Sequence, residues 1–247
     1  MSENQSKNVP EFSHIADRFA TWGLNTAYLT DERFVSAWRE SLYPVAPLIA
    51  NKTPEVMRID WKAHICCCAA QQALHYEGDF VECGVNYGII SKTVARYVDF
   101  ARYPERTFWL YDTFRGIPPE QMSDTEAKGL GGWHNENNYT CDVFPIARHR
   151  FAPFPNARLV PGKVPESLYQ VAAARVVWLH IDMNITFPEI AAAEFFWPRI
   201  PQGGIIILDD YGYRGHEEQM EAFQKFAAER GQNIFALPTG QGMIVKA

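Results

Sequence analysis

The sequence predicts an α/β protein built around a mostly parallel sheet that helices cover on both faces. Short apolar runs, typical of buried strands, alternate with stretches of helical periodicity after residue 77. The first of these strands leads directly into a glycine-bearing turn and a helix. Acidic residues follow four of the strands without an intervening residue. Strands joined through helices in this way form a sheet that is buried on both sides.

Bulk composition excludes several classes of protein. The chain has 247 residues, a net charge of −6 and no basic run, so it lacks the clustered Lys and Arg that nucleic-acid binding requires. Its first eight residues are polar and it has no 18-residue apolar run, which predicts neither a signal peptide nor a membrane span. Three of the five cysteines, residues 66–68, are consecutive and suit a packed helix better than a disulfide or zinc site. We therefore expect a reduced, cytoplasmic protein.

The N-terminal quarter is expected to form a separate helical cap. Residues 1–10 have the composition of a frayed tail, and residues 11–72 are helical in pattern, with three prolines interrupting them. We therefore divide the chain into a cap, residues 1–72, and a main domain, residues 73–247. The aromatic residues of the cap could pack on the sheet, close the substrate pocket or cover a second subunit, and they lead us to expect a homodimer or a higher homo-oligomer.

The main domain begins with a strand that ends at Glu82, a turn from Gly84 to Gly88 and a helix over residues 89–103. The later strands are predicted at residues 107–111, 158–160, 176–181, 205–208, 234–237 and 243–245, and the later helices at residues 165–173, 188–199 and 216–230. A tight Gly-containing turn joins the last two strands, which predicts an antiparallel pair. Residues 116–155 are polar and irregular, and a connection of that length is typical of a lid.

Acidic side chains stand at the ends of the apolar strands. The first strand ends in Glu82, the second in Asp112, the fourth in Asp182, and the fifth in Asp209 and Asp210. The carboxyl ends of parallel strands lie along one edge of the sheet, where ligands bind. Carboxylates gathered there repel one another unless a positive or hydrogen-bonding group lies among them. The pattern therefore predicts a ligand site at this edge.

The turn after the first strand reads Glu82-x-Gly84-x-x-x-Gly88, which is not the Gly-x-Gly-x-x-Gly spacing of dinucleotide-binding proteins. Asp112 follows Gly84 by 28 residues, at the end of the neighbouring strand, where an acid can accept both hydroxyl hydrogens of a ribose. An acidic start with spaced glycines suits a nucleoside that bears an amino acid better than a pyrophosphate. The sequence therefore favours S-adenosylmethionine as the cofactor.

A second prediction concerns a divalent ion. Asp182, Asp209 and Asp210 supply hard oxygen donors without a Cys or His partner, which suits Mg²⁺, Ca²⁺ or Mn²⁺ better than zinc. An ion held there could bind a substrate hydroxyl and lower its pKa. The alternative is that the adjacent pair of acids only caps a turn before Tyr211.

Four segments together carry a resemblance to a known family. They include the strings FVECGV, YDTFRGIP and GGIIILDDYG and lie within residues 78–88, 111–118, 179–182 and 203–212. The chain from Gly78 onward resembles the macrocin O-methyltransferase family, class I S-adenosylmethionine-dependent enzymes that act on sugars of macrolide antibiotics. The resemblance implies a Rossmann-like sheet of seven strands with the last strand reversed, preceded here by the helical cap and interrupted by the lid.

The resemblance also implies roles for individual residues. Asp182 matches the general base of the family, and Asp182, Asp209 and Asp210 match its Mg²⁺ ligands. The family commonly reads Asp-x-Asp-Leu-Tyr after the fourth strand, whereas this chain has Asn184 in place of the second acid. The implied cofactor-binding residues are Glu82, Gly84, Val85, Asn86, Tyr87, Gly88, Asp112, Thr113, Phe114, Gly162 and Asp182.

The predicted activity is methyl transfer from S-adenosylmethionine to a hydroxyl of a small metabolite, a sugar of a glycosylated natural product or a phenol. His134 is a candidate for a catalytic residue from the lid, whereas His180 is expected to be a hydrogen-bonded core residue. Three alternatives stay open: a metal-independent methyltransferase, an NAD-type or nucleotide-sugar oxidoreductase on a similar sheet, and a non-catalytic assembly protein.

Overall fold

The computed structural model describes residues 14–16, 19–49 and 52–247. The N-terminal region begins with two antiparallel strands, β1 (His14–Ala16) and β2 (Phe19–Thr21). The sequence predicts helix from residue 11 onward, which is wrong for these two strands. The predicted tail, residues 1–10, lies outside the described residues.

Two α-helices follow in the described part of the N-terminal region, α1 (Glu32–Leu42) and α2 (Asp60–Ala73). Asp31 caps α1, because its carboxylate accepts hydrogen bonds from the backbone N–H groups of Arg33 and Phe34. The cysteines of α2 behave as predicted for packing residues: Cys66 and Cys67 are fully buried. Both helices therefore belong to the packed body of the protein.

The central sheet contains seven strands, and six more helices accompany it. The strands are β3 (Asp79–Cys83), β4 (Phe108–Asp112), β5 (Ala157–Pro161), β6 (Val176–Ile181), β7 (Ile205–Leu208), β8 (Phe235–Ala236) and β9 (Gly242–Val245). The helices are α3 (Ile89–Tyr97), α4 (Asp124–Lys128), α5 (Leu130–Asn137), α6 (Phe144–Phe151), α7 (Thr186–Phe196) and α8 (Glu217–Glu229).

The strands lie in the order β5-β4-β3-β6-β7-β9-β8. The five strands from β5 to β7 pair in parallel, and β9 runs antiparallel to both of its neighbours. The predicted seven-stranded α/β sheet with a reversed last strand is confirmed. The order reverses direction between β3 and β6, and the carboxyl ends of the strands at such a reversal form a crevice in which ligands bind.

Two predicted helices are shorter than expected. The helix predicted over residues 89–103 ends at Tyr97, and a separate 3₁₀ turn, Phe100–Arg102, follows Asp99, whose φ of +53° is incompatible with a right-handed helix. The helix predicted over residues 165–173 is only a 3₁₀ turn, Glu166–Tyr169.

The predicted lid is mostly helical rather than irregular, because α4, α5 and α6 all lie within residues 116–155. Glu126 fixes it to the rest of the molecule. This buried carboxylate closes a capping box with Ser123 at the start of α4 and also accepts hydrogen bonds from the N–H and hydroxyl groups of Thr186 at the start of α7, both at 2.7 Å. The lid is therefore anchored beside the end of β6.

The core has two halves, one on each face of the sheet. Alternate residues of β3 show the division, since Phe80 packs with α1, α2 and α3 while Val81 packs with α7 and α8. The Phe80 ring contacts Phe100, Phe108 and Trp178, with centroids 5.1 to 5.8 Å apart. In the described part of the chain, no helix has the length and apolar character needed to cross a membrane.

Phe80→Ala should lower the free energy of unfolding by about 3–5 kcal/mol, because a fully buried ring leaves a cavity among three other aromatic side chains. Phe235→Ala, at a position that is 55% exposed, should change it by only about 0.5 kcal/mol. Urea unfolding of the two variants measures the difference, and equal losses would contradict this description of the core.

Candidate active site

The turn between β3 and α3 has a conformation that its glycines make available. Gly84 has a φ of +92° and Gly88, the N-cap of α3, a φ of +71°. A Cβ atom on Gly84 would lie 1.7 Å from the carbonyl oxygen of Asp182, so only glycine lets β3 approach β6 this closely. Gly84 therefore brings the turn against the end of the neighbouring strand, and Gly88 leaves room for the Phe151 ring beside the start of α3.

Asp112 organises the same turn from the end of β4. Its Oδ2 accepts hydrogen bonds from the N–H groups of Val85 at 2.6 Å and Asn86 at 2.7 Å, and its Oδ1 accepts one from Phe114 at 2.6 Å. A carboxylate offers about four acceptor positions, two on each oxygen, so these three hydrogen bonds leave one position free on Oδ1. The Thr113 hydroxyl, 3.3 Å from that oxygen, lies closer to the carbonyl oxygen of Gly116, at 2.6 Å.

One cleft contains nearly all the predicted cofactor residues. The lid contributes Gly116, Gln121 and Tyr139 to its walls, and the N-terminal region contributes Ile49 and Met57. Of the predicted site residues, Gly88, Asp209 and Asp210 lie outside its lining. The predicted residues that do line it are Glu82, Gly84, Val85, Asn86, Tyr87, Asp112, Thr113, Phe114, Gly162 and Asp182.

A chain of buried ionisable side chains runs beneath the cleft. His180 is fully buried, with Nδ1 2.8 Å from Glu82 Oε1 and Nε2 3.3 Å from Asp209 Oδ1. Burial alone would lower the pKa of His180, but the neighbouring Cys66, Asp209 and Glu82 side chains raise it well above its usual value. The prediction of a hydrogen-bonded core histidine is confirmed.

Glu82 also presents an oxygen to the cleft. Burial raises its pKa, which hydrogen bonding to His180 opposes. The nearby Ser91 hydroxyl also opposes the rise in the pKa of Glu82. By its geometry, however, Glu82 Oε2 makes no hydrogen bond to any residue the structure describes. A buried carboxylate oxygen without a donor is costly, so this atom is suited to a ligand that carries hydrogen-bond donors.

Sequence reasoning missed the cation among these acids. Lys62, on the first turn of α2, is 5% exposed, and its Nζ lies 2.6 Å from Asp209 Oδ2 and 3.4 Å from Asp210 Oδ1. Although burial opposes the charged ammonium, the two carboxylates raise the pKa of Lys62 well above its usual value. Burial likewise opposes the charged form of Asp209, but Lys62 and His180 hold the pKa of Asp209 below its usual range.

Asp182 lies partly buried at the end of β6, where it faces the cleft. Burial and the charges of Asp209 and Asp210 raise the pKa of Asp182 well above its usual value, which makes its carboxylate a stronger base. The amide of Asn184 lies 3.3 Å from both Asp182 Oδ1 and the Tyr139 hydroxyl of the lid. The residue that replaces the second acid of the family pattern thus connects the lid to the predicted base.

The loop after β6 depends on a buried glutamate that sequence analysis did not single out. Glu189 accepts hydrogen bonds from the N–H groups of Met183 and Asn184, both at 2.9 Å. Burial, together with the charge of Asp210, raises the pKa of Glu189 to about 8. The sequence signal for this role is weak: Glu189 lies one turn into α7, the helix that follows β6 and its terminal Asp182.

The lid histidine packs beside the site. His134 stacks on Tyr139, with ring centroids 5.5 Å apart, and its Nδ1 lies 2.8 Å from the side-chain amide of Asn138. Burial, with smaller contributions from His216 and Lys52, lowers the pKa of His134 to about 4. The ring is therefore neutral near pH 7, with Nδ1 accepting the amide N–H.

Three residues meet the geometric requirement for a metal cluster: ligand atoms of His180, Asp182 and Asp209 lie within 4.8 Å of one another. However, both ring nitrogens of His180 already face carboxylate oxygens, and Lys62 holds Asp209 Oδ2. The predicted set of Asp182, Asp209 and Asp210 meets the same obstacle. The donor set as it stands therefore does not fit a divalent ion.

The strand order, the glycine turn after the first parallel strand and the acids at the strand ends define the class: this is the fold of class I methyltransferases. The chain belongs to the macrocin O-methyltransferase (TylF) family, whose family model matches residues 55–235. That match confirms the family resemblance and disfavours the oxidoreductase alternative.

Relatives and solved structures agree with this assignment. An 8-demethyl-8-(2,3-dimethoxy-alpha-L-rhamnosyl)-tetracenomycin-C 4'-O-methyltransferase of Streptomyces olivaceus is 25% identical over 173 residues, which span 67% of this chain and 64% of the relative. The O-methyltransferase NovP superposes with a TM-score of 0.66 at 18% identity, covering 85% of this chain and 88% of NovP. The calicheamicin methyltransferase CalS11 superposes with a TM-score of 0.61 at 19% identity, covering 94% and 96%. The two structures establish the shared fold.

Gly84→Ala should destabilise the protein by more than the roughly 1–2 kcal/mol that a left-handed backbone costs a non-glycine residue, because its Cβ would also displace the backbone at Asp182. Gly231→Ala is the matched control, since Gly231 has a φ of +63° but nothing within 4 Å of an added Cβ. Urea unfolding separates the two effects, and an equal loss in both variants would refute the close approach at Gly84.

The contribution of His134 to the free energy of unfolding should fall as the pH drops from about 6.5 to about 4, because the unfolded chain protonates His134 in that range while the folded protein does not. His134→Asn keeps an acceptor near the position of Nδ1 but cannot titrate in this range. The free energy of unfolding of the unmodified protein should therefore fall, relative to that of the variant, as the pH drops. The free energy of unfolding of both proteins, measured in urea at several pH values, isolates this group from the carboxylates. Parallel pH profiles would contradict the depressed pKa.

Proposed function

We propose that this protein is an S-adenosylmethionine-dependent O-methyltransferase that methylates a hydroxyl of a small glycosylated metabolite. One observation carries the proposal: the cleft that holds the expected cofactor residues also contains Asp182, the expected base. Family membership supports the reaction type.

The cleft suits the cofactor in three respects. Glu82 Oε2, which has no partner among the described residues, can accept a hydrogen bond from the ammonium group of the methionine part. The turn from Gly84 to Gly88 provides a close backbone approach. Asp112 retains an acceptor position for a ribose hydroxyl, although its main contacts hold the turn. These roles, with Val85, Asn86, Tyr87, Thr113, Phe114 and Gly162 as further contacts, are our proposal.

S-adenosylmethionine supplies an electrophilic methyl group attached to a sulfonium sulfur. The acceptor hydroxyl must lie in line with the breaking carbon–sulfur bond, and the walls of the cleft provide that orientation. We assign to Asp182 the proton that the hydroxyl loses as the new carbon–oxygen bond forms. Asn184 connects this carboxylate to Tyr139 of the lid, and so holds the lid beside the reacting atoms.

The acceptor is proposed from the relatives. The Streptomyces olivaceus relative is named for methylation of a rhamnosyl sugar, and CalS11 is described as a TDP-rhamnose 3'-O-methyltransferase. A sugar of a glycosylated natural product, or its nucleotide-linked precursor, is therefore the substrate class we propose. The loop after β6 differs from the family pattern at Asn184, and mass spectrometry of the methylated product identifies which hydroxyl accepts the methyl group.

The sequence also predicts that the methyltransferase depends on Mg²⁺. The position of Lys62 argues against it, and we favour the metal-independent form of the reaction.

We also keep as proposals a cytoplasmic location, a division between a cap of residues 1–72 and a main domain of residues 73–247, and a homo-oligomer. Exposed apolar side chains of the N-terminal region, such as Leu24 and Val56, support the last of these.

Asp182→Asn should lower the methyl-transfer rate by about 10²–10⁴-fold, the usual contribution of a general base, with little change in S-adenosylmethionine affinity. TDP-rhamnose and demethylated rhamnosyl tetracenomycin C serve as acceptors, mass spectrometry detects the product, and calorimetry measures cofactor binding. Asp99→Asn, a change at an exposed turn, is the control. Unaltered turnover in Asp182→Asn would remove the base from the mechanism, and absence of cofactor binding in the unmodified protein would remove the function.

A further inference from the structure

Lys62 lies where the family resemblance would put a divalent ion. Its side chain enters the sheet edge from α2, 147 residues before Asp209 in sequence, and its Nζ contacts both members of the Asp209–Asp210 pair. The contact is buried, with only 7% of the lysine side chain and 10% of the Asp209 side chain exposed. The ion pair between Lys62 and Asp209 is therefore part of the packed interior and not a surface contact.

The oxygens of Asp209 are already committed. Oδ2 accepts from Lys62 at 2.6 Å, and Oδ1 has His180 Nε2 at 3.3 Å and Gln241 Nε2 at 3.2 Å. Magnesium binds carboxylate oxygens at about 2.0–2.1 Å with nearly octahedral geometry. An ion bound to Oδ2 would therefore compete with the ammonium for the same oxygen while repelling its charge.

The surroundings of Nζ suit an ammonium specifically. The Tyr213 ring presents its face 4.3 Å from Nζ. Aromatic faces attract ammonium groups through their quadrupole, whereas Mg²⁺ requires oxygen ligands. Two carboxylates on one side and an aromatic face on another thus form a pocket for a single positive charge on an organic group.

We propose that the Lys62 ammonium is the built-in cation of this site and replaces a divalent ion in the reaction, an inference that rests on the proposed function. Lys62 is a positioning residue: its single charge offsets one of the two negative charges of Asp209 and Asp210, and its hydrogen bond holds Asp209 in place beside His180. Asp182 then remains as the acid of this group that lines the cleft, free to accept the proton of the substrate hydroxyl.

The test is a titration with Mn²⁺ followed by electron paramagnetic resonance, which needs neither cofactor nor acceptor. The unmodified protein should show no stoichiometric Mn²⁺ binding. Lys62→Met should bind one Mn²⁺ per chain, at least about tenfold more tightly than the unmodified protein does, because the competing ammonium charge is gone. Lys62→Arg keeps the charge and should resemble the unmodified protein. Lys225→Met, on the exposed face of α8, should also leave Mn²⁺ binding unchanged.

Turnover provides the second readout. Methyl transfer by the unmodified protein should persist in EDTA, and the activity of Lys62→Met should fall and be partly restored by Mg²⁺. Stoichiometric Mn²⁺ binding by the unmodified protein, or loss of its activity in EDTA with recovery in Mg²⁺, would overturn the inference. If Lys62→Met does not fold, the titration of the unmodified protein still decides. Failure to bind S-adenosylmethionine would instead remove the proposed function and leave the Mn²⁺ result intact.

Discussion

The buried ion pair between Lys62 and Asp209 is the interaction on which the site depends. Several carboxylates lie at one edge of the sheet, and isolated buried charges are far too costly to persist without partners. The ammonium of Lys62 and the imidazole of His180 supply those partners, one from a helix and one from the strand itself. Asp209 and Glu82 Oε1 thus have partners within the protein, whereas Glu82 Oε2 and Asp182 face the cleft, where a ligand can use them.

Much of the sheet could be predicted because its signals are local. Apart from His180, the strands β6 and β7 are apolar, as is typical of strands buried on both faces, and the acids that follow them mark the strand ends directly. The short antiparallel pair at the N-terminus and the helices of the lid were missed, since short segments of mixed polarity are held by contacts elsewhere. Glu126, for example, organises the lid through the distant Thr186.

The chemistry of the site was only half predictable for a related reason. The acidic members are visible because each follows an apolar strand, but nothing near Lys62 distinguishes it from a lysine on a helix surface. Its role comes from a contact made across 147 residues of chain. Asp112 shows the same limit: its spacing from Gly84 suggests a ribose ligand, whereas the folded protein uses most of its acceptor capacity on the backbone of the turn.

The origin of Lys62 in α2 has a consequence for protein engineering. The family match begins at residue 55, ahead of this helix, so the shared region includes part of the segment assigned to the cap. A chimera joined between α2 and β3 would pair one parent's lysine with another parent's aspartates, and a mismatch would leave a charge stranded in the interior. Recombination between relatives should therefore succeed only when the crossover keeps α2 and the strand ends from the same parent.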